Sequence, residues 1–244
     1  MNNSNAQFYI LVDYDNLEKN QNLQEGDILT AISHMLNRLD QKLDFFKNAD
    51  RLQPVKILLY GGWYEERMWT NKSQKIKQAI SDQVSTLFTS SHGTELNVSI
   101  NLSYGMLSIP GRPFFGTYRR YPGNFNIRNL YKCCDDGEVC IDFIKHVKEQ
   151  NSCIYCGKDL SKLFYSNSQK MVDTIICCDL LCLSQKDQCY IAIVSSDDDL
   201  LPPIFQQSQG NDRIYHLLTR QEKGYYFTQY YDPIKPSKYK QTTW

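Results

Sequence analysis

The sequence predicts an α/β fold with three layers, helices covering both faces of a mainly parallel sheet, interrupted by a small inserted module. Two observations carry this. Apolar runs bounded by turn residues recur along the chain, and between them apolar residues return at three- and four-residue steps, so strands alternate with amphipathic helices. The alternation stops between residues 108 and 168, where Pro110, Pro113 and Pro122 break up a stretch without helical or strand period.

In chain order, "FYILVDYD" (8–15) reads as the first strand. Ile28, Ile32, Met35, Leu36, Leu39, Leu43 and Phe46 then mark one face of a helix. "VKILLYGGW" (55–63) is a second strand, residues 70–90 a helix and "NVSINLSYGML" (97–107) a strand. After the interruption come a helix over 170–184 and strands at "CYIAIVSS" (189–196) and "RIYHLLT" (213–219). This gives a discontinuous α/β domain, 1–107 with 169–220, an insertion over 108–168 and a Tyr-rich extension over 221–244. The extension receives no regular element. Its "DPIKPSKYK" reads as extended, because each proline biases its predecessor away from helix.

The 27 basic and 27 acidic side chains cancel, which excludes a global field drawing the chain to nucleic acid or anionic membrane. Any such partner must meet a local patch. "MNNSNAQFYILVDYDN" lacks a signal-peptide pattern, and no apolar run approaches the roughly 20 residues of a membrane span. A cytoplasmic location without membrane partners is the expectation. There the nine cysteines read as thiols or metal ligands rather than disulfides.

Ligands of parallel α/β sheets bind beyond the carboxyl ends of the strands. "ILVDYDN" delivers Asp13, Asp15 and Asn16 to one such end, and "IAIVSSDDD" delivers Asp197, Asp198 and Asp199 to another. "QKMVDTIICCDLL" adds Asp173 and Asp179 on an otherwise apolar helix, where a carboxylate needs water, a partner or a metal. Convergent carboxylates with one amide suit Mg²⁺ or Mn²⁺, and such ions support phosphodiester hydrolysis. The alternative is that these aspartates cap helices or face water.

"ILVDYDNL", "KMVDTIICCDLL" and "IAIVSSDDDLLPPI", in this order, resemble the motifs of the NYN branch of PIN-like ribonucleases. Asp13 and Asn16 match the first motif, Lys170, Asp173 and Asp179 the second, and Ser195, Asp197 and Asp199 the third. Ser196 stands where the family usually has glycine, and Leu200 where it has an aromatic. The resemblance implies a PIN-like fold and metal-dependent endonucleolytic cleavage of RNA, usually single-stranded. Asp13, Asp173, Asp197 and Asp199 would hold Mg²⁺ or Mn²⁺, Asn16 would orient a ligand or water, and Asp179 would add a ligand or support one. Some relatives are inactive, so a non-catalytic RNA-binding module is the alternative. "VDYDN" is also similar to the Asp-x-Asp motif of haloacid-dehalogenase-like phosphatases, with Asp13 as nucleophile and Asp15 as acid or base. That reading leaves Asp173 and Asp179 without a role.

In the insertion, Cys134 and Cys140 precede the Cys-x-x-Cys-Gly knuckle of Cys153 and Cys156, four thiolates that would close a structural Zn²⁺ site, with Cys133 as substitute for Cys134. Reduced thiols in a core are the alternative. Cys177, Cys178, Cys182 and Cys189 read as packing. Residues 96–134 contain no acid, while Arg112, Arg119, Arg120, Arg128 and Lys132 alternate with aromatics that include Tyr118 and Tyr121. Arginines neutralise phosphates and aromatic faces stack unpaired bases, a combination suited to single-stranded RNA. These aromatics could equally fill a small core. The Tyr-rich end could extend that groove, or serve a protein partner or a second copy. His34, His92, His146 and His216 have no mutual ligand spacing and receive no role.

Overall fold

The computed structural model describes residues 6–23, 27–81, 86–122, 165–222 and 227–244. The chain divides into two compact units, Met1–Thr117 with Lys170–Trp244, and Tyr118–Gln169. In the first unit β1 (Gln7–Asp13) is buried from Phe8 onward. Asp13 ends the strand and caps α1 (Tyr14–Gln21), its carboxylate accepting from Asn16 N–H. In α2 (Ile28–Leu43) Ile28, Ile32, Met35, Leu36 and Leu39 of the expected stripe are buried and Leu43 is half-buried, and left-handed Asp44 stops the helix before Phe46. β2 (Gln53–Tyr60) follows, then the short antiparallel pair β3 (Tyr64–Glu65) and β4 (Met68–Trp69). Next come α3 (Asn71–Ser81), β5 (Thr86–Thr89) and β6 (Glu95–Ser103).

The second unit contributes the antiparallel pair β7 (Tyr118–Pro122) and β8 (Tyr165–Gln169). Back in the first unit, α4 (Val172–Ser184) leads to β9 (Cys189–Val194). A 3₁₀ turn over Asp198–Leu200 starts α5 (Leu201–Gly210), with prolines in its first turn, where no intrahelical N–H is needed. β10 (Ile214–Leu218) and β11 (Lys240–Thr243) complete the sheet.

The seven strands run in the order β11-β10-β9-β1-β2-β6-β5, and all are parallel except β5, which pairs antiparallel with β6. Side chains alternate across β1. Phe8, Ile10 and Val12 join the core with α2, while Tyr9 and Leu11 join the core with α4 and α5. Each such aliphatic side chain contributes about 1.5–3 kcal/mol by leaving water. From β1 the chain winds outward through β2 and β6, then returns to the other side of β1 for β9 and β10. Neighbouring connections therefore diverge at the carboxyl ends of β1 and β9, which opens a crevice there.

The α/β class with a mostly parallel sheet is thus as expected, and several elements differ. The helix expected over 70–90 stops at Ser81, and Thr86–Thr89 is strand, paired with β6 from Thr86 opposite Val98 to Thr89 opposite Glu95. The strand expected over 97–107 ends at Ser103, and residues 104–114 form a loop held by Phe114 N–H to Tyr104 O at 2.7 Å and Ile109 N–H to Met106 O at 3.1 Å. Residues 108–117, read as insertion, belong to the first unit. The C-terminal segment, given no regular element by the sequence, supplies edge strand β11. Arg38 Nη2 also donates to Thr243 O at 2.6 Å, and Trp244 N–H reaches Arg220 O at 3.0 Å. Among the described residues no helix is long and apolar enough to cross a membrane.

Candidate metal centre at the carboxyl edge of the sheet

The crevice between β1 and β9 collects carboxylates because each flanking element ends there. Asp13 closes β1, Asp197 follows β9, and Asp173 occupies the first turn of α4. Met171, just before that helix, takes a left-handed φ of 64°. One oxygen from each of Asp13, Asp173 and Asp197 lies within 4.8 Å of the other two. An octahedral ion with bonds of about 2.1 Å spans at most about 4.2 Å between opposite ligands, so small side-chain rotations would close the set.

Ser195 orients this cluster. Its hydroxyl donates to Asp13 Oδ2 at 3.0 Å and accepts from Asp197 N–H at 3.0 Å, while Asn16 N–H holds Asp13 Oδ1 at 3.1 Å. Burial pushes the Asp13 carboxyl up to about 7 despite those donors, and the charges of Asp173 and Asp15 push the same way. Asp173 is likewise raised, by burial first and then by Asp197 and Asp199. Negative charge in the crevice is thus under-compensated by the protein, and the donors are hard oxygens. Both properties fit Mg²⁺ or Mn²⁺.

Compared with protein-family models, curated proteins and solved structures, the chain matches none.

The other expected site residues divide. Asp199 is exposed at the rim, outside the converging trio, with its N–H on Asp197 Oδ1 at 3.1 Å. Asp179 is fully buried and accepts from Tyr60 Oη at 2.7 Å and from Leu107 N–H at 2.7 Å. These bonds join β2 and the 104–107 loop to α4, and Asp179 lies outside the converging trio. Asn16 also serves the scaffold: its Oδ1 accepts from Ser196 N–H at 2.8 Å, Thr219 Oγ1 at 2.6 Å and Asn20 Nδ2 at 2.9 Å. It fixes the loop carrying Asp197 instead of presenting that oxygen to a ligand. Ser196, the departure from the glycine of the resemblance, fits because its hydroxyl accepts from Arg220 N–H at 3.1 Å.

Asp15 accepts from Gly62 N–H at 2.8 Å and pairs with Lys72, which also reaches Glu18 at 2.5 Å. A Cβ at Gly61 would meet the Trp63 ring at 2.9 Å and Asp15 Oδ2 at 3.2 Å, so glycine lets β2 end close to α1. Arg112 is exposed in the first unit, and Tyr118, Arg119, Arg120 and Tyr121 lie along β7 of the second. Arg128, Lys132, Cys133, Cys134, Cys140, Cys153 and Cys156 lie outside the described residues. Cys177, Cys178 and Cys182 are half-buried free thiols on α4, and Cys189 is buried in β9.

One contributor had no role in the sequence reading. His216 is fully buried in β10, with Nε2 at 2.9 Å from Ser195 O and Nδ1 at 2.6 Å from Tyr239 Oη. A carbonyl oxygen only accepts, so Nε2 carries the proton and Tyr239 donates to Nδ1. Burial lowers the imidazole to about 4 and keeps it neutral. The signal was a histidine amid the apolar run "IYHLL", since a polar group there requires partners. Metal-ligand spacing was the wrong test for it.

Proposed function

We propose that the protein is a metal-dependent endoribonuclease of the NYN/PIN-like kind, cutting phosphodiester bonds in single-stranded RNA. The convergence of Asp13, Asp173 and Asp197 at the switch point of the sheet supports this reading most directly. A bound Mg²⁺ or Mn²⁺ would lower the pKa of water and offset charge on the scissile phosphate. The three carboxylates would hold the ion, and Ser195 would keep Asp13 in the orientation that offers one oxygen to the crevice. Asp199, at the rim, would bind a water or a second ion. The cysteines of the insertion would form its zinc site, and Arg119 and Arg120 with their neighbouring tyrosines would bind the strand. The phosphatase alternative asks Asp15 to shuttle a proton, yet Gly62 N–H and Lys72 already engage both its oxygens.

The test is cleavage of end-labelled single-stranded RNA in Mn²⁺. Asp197→Asn is expected to lose at least about 100-fold in rate, with unchanged far-UV circular dichroism. A protein that binds no divalent ion, and whose rate ignores the substitution, would rule the mechanism out. RNA binding without turnover would instead establish the non-catalytic module.

A further inference from the structure

At the outer edge of the sheet β5 begins at Thr86, opposite Val98, whereas β6 continues to Ser103. A cavity of about 580 Å³ opens there, walled by α3, the end of β6 and the 104–112 loop. That volume lies within the range of small-ligand sites. Among the described residues its lining holds the cations Lys77 and Arg112, the rings of Trp69 and Tyr104, and the amide of Asn101. Lys77 Nζ stands 5.3 Å from the Trp69 ring centre, and that ring meets Tyr104 edge-to-face at 5.7 Å. Tyr104 is 39% exposed, so part of its ring is open to solvent.

The cavity is built and not a chance gap between loose loops. A Cβ at Gly105 would lie 2.4 Å from Arg112 O, so the loop closes only with glycine there. Leu107 N–H is bonded to Asp179, six residues along α4 from Asp173, or about 9 Å of helix. One wall of the cavity is thus fixed to the helix that supplies the candidate metal centre.

We propose that this cavity receives one unpaired nucleobase of an RNA strand. The base stacks on Tyr104, edge-on to Trp69, and meets the Asn101 amide with its hydrogen-bonding edge, while Lys77 and Arg112 neutralise the adjoining phosphates. Charge and shape together choose the class: the cations Lys77 and Arg112 favour an anion, and the partly exposed ring of Tyr104 beside them favours a flat ring. The assignment rests on the ribonuclease reading for its choice of a strand over a free nucleotide.

The experiment measures binding of a short fluorescein-labelled single-stranded RNA in EDTA, of the same RNA with one abasic position, and competition by AMP. Wild type is expected to bind the abasic RNA about tenfold more weakly. Tyr104→Leu should erase that difference without altering the salt dependence. The double variant Lys77→Glu with Arg112→Glu should weaken binding at least tenfold and make the slope of log K against log salt shallower by about 1.4, at about 0.7 per phosphate. Equal binding of abasic and intact RNA by wild type, or an unchanged double variant, would overturn the proposal. Competition by AMP at the concentration of the strand would assign the cavity to free nucleotides and overturn the strand. Binding as expected without cleavage in Mn²⁺ would sink the ribonuclease reading and leave the cavity standing. Cleavage with unaltered KM in the Tyr104 and double variants would do the reverse.

Discussion

Asp13 and His216 sit two hydrogen bonds apart and respond to pH in opposite senses. Asp13 is raised from 3.8 to about 7 by burial, so the fold favours its neutral form. Without metal, its contribution to stability is therefore full below about pH 4 and lost as pH rises toward 7. In EDTA, Asp13→Asn is expected to gain stability relative to wild type across that window, which urea unfolding at several pH values will read. A constant difference would contradict the burial of an uncompensated charge. His216 is lowered from 6.5 to about 4, so the fold favours the neutral ring. Its contribution is full above pH 6.5 and about 3 kcal/mol is lost as pH falls toward 4. His216→Gln should remove that acid-side loss, so its stability relative to wild type should improve on acidification. Between the two stands Ser195, and removing its hydroxyl by Ser195→Ala should lower Mn²⁺ affinity 10- to 100-fold by calorimetry while leaving the three carboxylates in place. Undiminished affinity would show that Asp13 does not need the hydroxyl for its orientation.

At the scale of elements, the hydrophobic period located β1, α2, β2, β9 and β10 because each has a long buried face. It failed at β5, whose four residues are too few to show a period and whose Leu87 is 61% exposed. The contact that makes β5 a strand is its pairing with β6, which local sequence does not display. It missed β11 for the same reason, since its four residues are only half-buried and rely on β10. Asp179 shows the complementary limit. A carboxylate on an apolar helix announces that a partner exists, yet Tyr60 and Leu107 approach it only after α4 has packed on the sheet. Tyr60→Phe should therefore cost about 1–3 kcal/mol by leaving a buried acceptor without its donor, as measured by denaturant unfolding. A neutral result would mean that Asp179 is satisfied another way.

For the whole molecule, the central question is whether the crevice and the insertion hold their ions. Mn²⁺ at a hundredfold its dissociation constant should raise unfolding free energy by about 2.7 kcal/mol in wild type. Asp13→Asn with Asp197→Asn should abolish that gain. If the double variant is stabilised equally, the ion binds elsewhere. Separately, about one zinc per purified chain is expected if the four thiolates of the insertion close a structural site, and metal analysis of folded protein without zinc would dismiss that site.

The sequence by itself determined the α/β class and brought carboxylates to strand ends, because buried strands and amphipathic helices must show their period locally. It also named Asp13, Asp173 and Asp197 as metal ligands, together with Asp199 and Asp179. Only the tertiary structure decided which aspartates share a crevice, since that depends on β9 pairing beside β1 and on α4 delivering its first turn there. Tertiary packing likewise gave Asn16 and Asp179 their partners in the scaffold, and it enlisted His216 and the C-terminal Tyr239. Spacing along a chain fixes what a residue can do chemically, but its partners come from elements far away in sequence.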